Sequence, residues 1–295
     1  MSDPSILLFP GQGTEAVGMS ASWTEDAVWA ATLEAAEQRC GFPLRKLMAE
    51  GPIEELRLQR HAPCAVLAHS VGLYRAHRAA GMPLPMAAAG HSMGYYSALV
   101  AAEVVPLEAA LDLLCAVEDL CEAAFGPGTM GMAFVIGLGE AEVHAELALH
   151  PELALSNRNG RAQFTVSGPR QALQAFQSEV EGKALKCGLL PVQHPLHGPH
   201  MAALMPPITR RMASVAPAAP AFPLISNFDG RLLVTADAAW DEGLASVALP
   251  VDWLKVVERF KTLGAPLAEC GFGSQLMGLT RWADRELAVR SLQTK

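Results

Sequence analysis

Charged residues, aromatic side chains and long uninterrupted apolar stretches are all scarce in this sequence, and each shortage excludes a class of protein. Of the 295 residues, 18% are charged and 6% are aromatic, whereas 51% are hydrophobic. So few charges in so apolar a chain exclude a disordered or fibrous protein. Acidic residues outnumber basic ones by 30 to 22, so no basic stripe is available to bind nucleic acid. The length suits one large domain or two ordinary ones.

The apolar residues do not gather into a segment that crosses a membrane or directs export. The most apolar stretch, residues 99–116, contains Glu103, Glu108, Asp112 and a proline, which a membrane-spanning helix does not tolerate. Residues 1–9 are acidic rather than basic and lead into a glycine-rich turn, unlike a signal peptide. We therefore expect no membrane partner and a cytoplasmic location.

The cysteines show no metal-binding or redox spacing. No two of the six form a C-x-x-C pair, and all are scattered in apolar surroundings. They are predicted to be small buried side chains in a reducing cytosol. The six are Cys40, Cys64, Cys115, Cys121, Cys187 and Cys270.

Short apolar runs that stop at glycine-rich turns predict an α/β sheet. Residues 5–9 form such a run before P-G-Q-G, and residues 83–89 form another that ends at Gly90. A helical pattern begins directly afterwards at Met93, and strand, tight turn and helix in that order are typical of α/β proteins. Further helices are predicted over residues 25–40, 65–80, 107–124 and 251–263, with strands over 223–226 and 266–273.

The pattern changes after the F-G-P-G segment at residues 125–128. Strands are predicted over residues 130–136, 162–166 and 184–192, and helices over 140–150 and 169–181. This β-α-β-α-β order predicts a compact insert with its strands on one face and two helices on the other. Its outline is ferredoxin-like.

The segment G-H-S-M-G at residues 90–94 is the strongest indication of chemistry. A serine between small residues at a strand-to-helix corner is held in a strained turn with its Oγ exposed. The helix that follows presents free backbone N–H groups and the positive end of its dipole, which suit a developing oxyanion. The alternative is that Ser92 only caps the helix. His91 cannot serve as its base, since adjacent side chains on such a turn point apart.

A distant histidine must therefore supply the base, and residues 191–201 offer three. His194, His197 and His200 are spaced by threes, which also suggests a shared metal ion. Prolines break any helix there and no thiol or carboxylate lies close in sequence, so a metal is disfavoured. Residues 9–13, F-P-G-Q-G, lack both phosphate-binding glycine patterns. This turn would instead present the Gln12 N–H beside Ser92, completing an oxyanion hole with the Met93 N–H.

The order and spacing of these motifs resemble the malonyl-CoA:acyl-carrier-protein transacylase family, which includes discrete acyltransferases of polyketide assembly lines. The resemblance runs from Phe9 to about Arg281, nearly the whole chain. Its motifs are residues 9–13, 51–56, 90–94, 97–101, 156–159, 167–168, 226–227, 250–253 and 271–280, with Gln163.

The resemblance implies a fold and a mechanism. Residues 1–125 and 195–295 would form an α/β-hydrolase-like large domain, and residues 126–194 a ferredoxin-like small domain inserted into it. The active site would lie between them and need no metal or cofactor. Ser92 would be the nucleophile and His197 the base, held by a backbone carbonyl near Ser246.

The implied reaction is a ping-pong acyl transfer. An acyl thioester of coenzyme A or of an acyl carrier protein acylates Ser92, and a pantetheine thiol then removes the acyl group. The backbone N–H groups of Gln12 and Met93 would bind the oxyanion.

Three departures from the family pattern concern the acyl pocket. Malonyl-handling members hold the free carboxylate with an arginine in the helix after the nucleophile, since a guanidinium binds a carboxylate through two parallel hydrogen bonds. Here that position falls at Ala116 or a near neighbour, and no Lys or Arg occurs between Arg78 and Arg158. Tyr95 replaces the usual glutamate, either by drift or in a reshaped site, and Ala62 replaces the usual glutamine. The residues expected at the pocket are His91, Tyr95, Ala116, Ala62, Leu196 and Asn157.

The missing arginine disfavours malonyl, because losing one partner of a buried ion pair costs about 3–5 kcal/mol. We expect an acyltransferase that moves a neutral, non-malonyl acyl group in polyketide or related biosynthesis, with an acyl carrier protein as partner. The alternatives are a hydrolase that removes stalled acyl groups from carrier proteins, an ordinary malonyltransferase, and an inactive homologue that serves for docking. The carrier protein is expected to meet a basic patch of Arg158, Arg161, Arg170 and Lys186.

Overall fold

A computed structural model describes residues 5–294, so the first four residues and the last one of the predicted large domain lie outside the described residues. The strands are β1 Ile6–Phe9, β2 Ala87–Gly90, β3 Met130–Ile136, β4 Ala154–Gly160, β5 Gln163–Pro169, β6 Lys186–Leu189, β7 Leu224–Ile225, β8 Leu232–Leu233, β9 Val251–Asp252, β10 Leu267–Glu269 and β11 Val289–Ser291. The helices are α1 Ala27–Cys40, α2 Leu44–Glu50, α3 Ile53–Leu56, α4 Ala62–Ala79, α5 Gly94–Ala101, α6 Leu107–Phe125, α7 Glu140–Leu147, α8 Arg170–Glu179, α9 Met205–Arg211, α10 Ala236–Ala245, α11 Trp253–Leu263 and α12 Gln275–Ala283, with a 3-10 helix at Pro199–Leu204.

The larger sheet has the strand order β11-β10-β1-β2-β7-β8, and only β8 runs antiparallel to its neighbour. Alternate residues of β1 enter different hydrophobic clusters, with Leu7 and Phe9 on one face and Ile6 and Leu8 on the other. Both faces are therefore buried, as in parallel sheets covered by helices. Because β1 and β2 are paired in parallel up to their last residues, the loops that follow them lie side by side.

The smaller sheet has the order β6-β3-β5-β4-β9. Its first four strands alternate with α7 and α8 as β-α-β-β-α-β and pair antiparallel, which confirms the predicted ferredoxin-like unit. Strand β9 comes from beyond the insert and pairs in parallel with β4. The sheet thus includes one strand from outside residues 126–194, and the division of the chain at those residues remains a prediction.

The clearest difference between the predicted and the observed elements is a strand in which polar residues are buried. Strand β3 has the predicted bounds, whereas β4 was not predicted at all. Its sequence, A-L-S-N-R-N-G, shows no apolar alternation, yet Ser156, Asn157 and Asn159 are buried because β4 lies between β5 and β9. Helices α2, α3, α10 and α12 and strands β8 and β11 were not predicted either. Within residues 5–294, no helix combines the length and apolar character needed to cross a bilayer.

The cysteines are less scattered than the sequence indicates. Helices α1, α4 and α6 pack together in the larger hydrophobic cluster and bring Cys40, Cys64 and Cys115 into contact. Their three Sγ atoms lie within 4.8 Å of one another, close enough to hold a metal ion. All six cysteines are free thiols.

Candidate active site

The turn that carries Ser92 is strained and depends on two glycines. Ser92 has a φ of 54°, a conformation that residues with a Cβ rarely adopt. A Cβ on Gly90 would overlap the carbonyl oxygen of Gly94, and a Cβ on Gly94 would overlap that of Phe9. Only glycine fits at either position, so the end of β2, the start of α5 and the end of β1 can pack closely around the serine. Ser92 remains half-buried, and its side chain is accessible from a cleft.

The serine hydroxyl is hydrogen-bonded to a buried histidine. The Ser92 Oγ lies 2.6 Å from His197 Nε2, and His197 Nδ1 lies 2.6 Å from the carbonyl oxygen of Ser246. A carbonyl can only accept, so Nδ1 carries the proton and Nε2 is free to accept one from Ser92. The histidine backbone is held as well, since its N–H donates to the Val247 carbonyl at 3.0 Å.

Burial keeps this histidine uncharged. Desolvation, with a smaller contribution from His91, lowers the pKa of His197 to about 4. At neutral pH the imidazole is therefore a free base with the tautomer that general-base catalysis requires. This pair of contacts lets His197 accept the Ser92 proton, which makes the serine hydroxyl a nucleophile.

Two backbone N–H groups beside Ser92 have no partner. Gln12 follows β1 and Met93 precedes α5, and neither N–H donates to any acceptor within the described range 5–294. The pairing of β1 with β2 places the two loops together, and both residues line the same cavities as Ser92. Unpaired N–H groups at a helix start can stabilise an oxyanion. The Gln12 side-chain amide nitrogen is also buried without a partner there.

His91 joins the two sheets across the cleft. Its Nε2 lies 2.7 Å from the side-chain oxygen of Asn159 in β4, and its ring contacts Trp253 at a centroid distance of 5.2 Å. Burial lowers the pKa of His91. Asn159 in turn donates to Thr165 Oγ1 at 3.3 Å. The sequence marked Asn159 only as part of a motif, and nothing in it indicated that Asn159 is the partner of His91.

Ser92 lies where two cavities meet. The outer cleft, about 390 Å³, is lined from both sheets and includes His91, Asn157 and Lys186. The inner cavity, about 50 Å³, shares Ser92 with the outer cleft but has no residue of the smaller sheet in its lining. Its lining residues are Gln12, Gln59, Pro63, Ser92, Met93, Tyr96, Leu114, Val117, Glu118, His194, Leu196, His197 and Val247.

Three residues expected at the pocket line neither cavity. Leu196 lines both, and His91 and Asn157 line the outer cleft, but Tyr95, Ala116 and Ala62 are buried elsewhere in the core. Tyr95 donates through its hydroxyl to the Ala239 carbonyl at 3.1 Å, a structural role. In each case the next residue faces the inner cavity instead, because one position along a helix turns the side chain by about 100°. These neighbours are Tyr96, Val117 and Pro63.

One polar pair lies at the end of the inner cavity. His194 Nε2 lies 2.6 Å from Glu118 Oε2, and both side chains are largely buried. These two residues and Gln59 also line a third cavity of about 290 Å³, which Ser92 and His197 do not reach. No lysine or arginine lines the inner cavity in the described part of the chain. His194 is buried rather than exposed on its loop, because α6 supplies a carboxylate that packs against it.

The three histidines of residues 191–201 have different partners and do not share a site. His197 contacts Ser92 and Ser246, His194 contacts Glu118, and His200 Nε2 lies 2.8 Å from the carbonyl oxygen of Glu152.

The predicted basic patch is only partly free. Arg158 is engaged with Glu140 at 2.8 Å and with Asp252 at 3.2 Å. Arg161, Arg170 and Lys186 are exposed, and Lys186 also lines the outer cleft.

Known proteins resemble this chain over most of its length. Residues 6–245 match the model of the acyl transferase domain family. The malonyl CoA-acyl carrier protein transacylase of Escherichia coli K12 is 32% identical over 281 residues, covering 93% of this chain and 91% of the relative. The polyketide biosynthesis protein ThaF of Burkholderia thailandensis is 31% identical over 93% of this chain, which spans 24% of that protein.

Solved structures show the same fold. The acyl-carrier-protein S-malonyltransferase of Burkholderia pseudomallei superposes with a TM-score of 0.92 at 30% identity, covering 99% of this chain and 97% of the other. A malonyl-transacylase in complex with a type II polyketide synthase acyl-carrier protein also gives a TM-score of 0.92, at 28% identity over 99% of this chain and 97% of the other.

Proposed function

The chain belongs to the acyl transferase domain family and is an acyltransferase, and from that premise we propose that it moves an acyl group between thioesters through an acyl-enzyme on Ser92. The observation that carries the proposal is the contact of the Ser92 hydroxyl with a neutral His197 that is oriented by the Ser246 carbonyl. Serine and histidine in this geometry perform nucleophilic acyl transfer on unrelated folds.

The proposed reaction has two matching halves. His197 Nε2 takes the Ser92 proton as Oγ attacks the thioester carbon, and the Gln12 and Met93 N–H groups bind the oxyanion. The intermediate collapses with loss of the C–S bond, and His197 returns the proton to the leaving thiolate. In the second half an acceptor thiol gives its proton to His197 Nε2 as its sulfur attacks the ester carbon. The second intermediate collapses with loss of the C–Oγ bond, and His197 returns the proton to Ser92 Oγ as the new thioester leaves.

We propose an acyl carrier protein as a partner. The E. coli relative is named for that substrate, and one structural relative was solved with a carrier protein bound. The outer cleft of about 390 Å³ leads to Ser92 from the surface and suits the extended pantetheine arm of a carrier protein or coenzyme A. The exposed Arg161 and Lys186 lie on the insert and are the docking residues we favour, because Arg158 is already ion-paired.

The acyl group is proposed to lack a carboxylate, in contrast to the malonyl group for which several relatives are named. No lysine or arginine within residues 5–294 lines the inner cavity, and the α6 residues that do so include Val117 and Glu118. A malonyl carboxylate there would lie near Glu118, a group of like charge. Bringing a second carboxylate into a partly buried site without a cation is strongly unfavourable.

Intact-protein mass spectrometry tests this proposal. The chain is mixed with acetyl, butyryl and malonyl thioesters and the adduct on Ser92 is quantified. We expect adducts from the neutral donors, far less from malonyl, and none from Ser92→Ala. Ser97→Ala, which changes a buried serine two positions after Tyr95 on the same helix, should still be acylated.

Products in the same mixture separate transfer from hydrolysis. When acyl carrier protein is present as the acceptor, we expect the acyl group to appear on it. If free acid forms as fast as the donor thioester is consumed, the protein is a hydrolase. A malonyl adduct as abundant as the butyryl one would contradict the proposed selectivity. Absence of any adduct would contradict the proposed function as a whole.

A further inference from the structure

The inner cavity ends at a group of side chains that the proposed reaction does not use. Gln59, Glu118 and His194 line both the inner cavity and the third cavity, while Ser92 and His197 line only the inner one. The three residues therefore separate the two spaces at the end remote from the nucleophile. An acyl group on Ser92 that fills the inner cavity points its far end at them.

Two side-chain oxygens at this end of the cavity, one on Glu118 and one on Gln59, have no hydrogen-bond partner within residues 5–294. Glu118 uses Oε2 to accept from His194 Nε2, and its Oε1 makes no hydrogen bond within the described residues. Gln59 donates through Nε2 to the Pro191 carbonyl at 2.9 Å, which leaves its side-chain oxygen free. Carboxylate and amide oxygens can only accept, so a ligand must bring the donor.

The surrounding charges favour a donor over an anion. Arg60 is committed to Asp119 at 2.6 Å and to Glu122 at 3.9 Å, and Arg211 to Asp119 at 3.2 Å. Glu118 is left with His194 as its partner. The pair supplies no net positive charge to an incoming carboxylate.

The volume limits the length of the acyl chain. The inner cavity has about 50 Å³, and most of its other lining is apolar, including Leu114, Val117, Leu196 and Val247. That space holds a group of a few heavy atoms, since a cavity needs about 10–15 Å³ to accept one water molecule. A three-carbon acyl chain with one polar atom beyond it has the right size.

Resting on the proposed function, the geometry points to a recognition site in which Glu118, held by His194 and assisted by Gln59, binds a hydroxyl or amino group at the far end of a short acyl chain. The substrate class is thus a short hydroxyacyl or aminoacyl thioester. The recognised chemistry is one hydrogen-bond donor that reaches a largely buried carboxylate. No covalent step is added to the proposed reaction.

Matched N-acetylcysteamine thioesters test the assignment. The initial rate of Ser92 acylation is measured by mass spectrometry for 3-hydroxypropionyl, 3-aminopropionyl and butyryl, which have equal length and differ only in the terminal group. We expect at least one donor-bearing thioester to acylate Ser92 about 10-fold faster than butyryl, since a hydrogen bond to a charged partner is among the stronger ones. The rates with the hydroxyl and with the amine tell which donor is preferred.

Three variants show whether Glu118 is responsible. Glu118→Leu should reduce the donor-to-butyryl ratio to about 1, and Glu118→Gln should lower the amine rate more than the hydroxyl rate, because the amide keeps an acceptor and loses the charge. Glu122→Gln, one turn further on α6 and outside the inner cavity, should leave the ratio unchanged. The ratio is taken within one protein sample, so partial misfolding of a variant does not alter it.

The outcomes separate this inference from the proposed function. Acylation by butyryl at the same rate as by both donor-bearing thioesters, or a ratio that Glu118→Leu leaves intact, would overturn the recognition site while the acyltransferase reaction stands. Failure of all three thioesters to acylate Ser92 would overturn both.

Discussion

The two ends of the site are built in different ways. Around Ser92 the geometry is set mainly by the backbone: a positive φ, two glycines, two N–H groups without a partner in residues 5–294, and the Ser246 carbonyl. At the far end of the inner cavity it is set by side chains of α6 and of two loops, among them Glu118, His194 and Gln59. The first arrangement contacts the thioester carbonyl, which every acyl donor has. The second contacts only the end of the acyl chain, which differs from one donor to another. Substitutions near Ser92 should therefore affect all donors equally, and substitutions at the far end should change their ratios.

The largest effect is expected from removing the base. His197→Ala should lower acylation by butyryl and 3-hydroxypropionyl thioesters by the same factor, about 10²–10⁴, because only proton transfer from Ser92 is lost. Initial rates by mass spectrometry measure both factors. His200→Ala changes the same segment but only removes a contact to the Glu152 carbonyl, so it should retain its rate. Unequal loss for the two donors would mean that His197 also selects the acyl group.

A smaller but more selective effect is expected at the far end. In the double variant Val117→Arg, Glu118→Gln, a guanidinium enters the inner cavity and the opposing carboxylate is removed. The malonyl-to-butyryl acylation ratio should rise by about 10-fold or more, since a carboxylate gains a bidentate partner. Val117→Arg alone should gain less, because the new arginine pairs with Glu118. A double variant with an unchanged ratio would show that charge at this end does not govern the choice of acyl group.

The dependence on pH should follow the catalytic end alone. His197 has a pKa lowered to about 4, so its imidazole is the free base at all higher pH values. The kcat/KM for butyryl, which carries no ionisable group, should be level from pH 8 to about 6 and fall to half near pH 4. A midpoint near 6.5, the ordinary histidine value, would show that His197 is not desolvated before substrate binds.

Stability should change with pH for the same reason. The folded-state pKa of His197 lies below its ordinary value of 6.5, so the unfolded chain binds more protons between those two values. Its contribution to stability is thus complete above pH 6.5 and declines as the pH falls toward 4. The melting temperature of the wild type should fall more steeply as the pH is lowered over this range than the melting temperature of His197→Gln.

The sequence predicted the catalytic end far better than the acyl end, and the reason is physical. Ser92, Gln12 and Met93 lie in short turns whose backbone conformation depends on the spacing of the glycines. The motif therefore predicts that the serine hydroxyl and the two N–H groups lie close together. The lining of the acyl cavity depends on which side of α4, α5 and α6 faces inward. The predicted lining residues Ala62, Tyr95 and Ala116 each precede by one position the residue that lines the cavity. Of the long-range contacts, those of His197 with Ser92 and with the Ser246 carbonyl were expected only from the family resemblance, and others were not predicted.

Two such contacts matter for the site. The His194–Glu118 pair joins residues 76 positions apart, and the His91–Asn159 hydrogen bond joins residues 68 apart, with β4 hidden by its polar sequence. The fold class was recoverable because strand, turn and helix signals are local.

The smallest effect is expected at the surface, remote from both ends of the acyl site. Arg161→Glu with Lys186→Glu should raise the KM for acyl carrier protein about 3- to 10-fold at low salt, since exposed charges act mainly on encounter and are screened. Acylation by N-acetylcysteamine thioesters should be unchanged, because these small donors need no docking surface. Arg285→Glu with Lys46→Glu, two exposed residues outside the insert, is the control for altered net charge. An equal loss with the small thioesters would place Lys186 in the cleft chemistry rather than in docking, and no loss with the carrier protein would move the docking surface away from the insert.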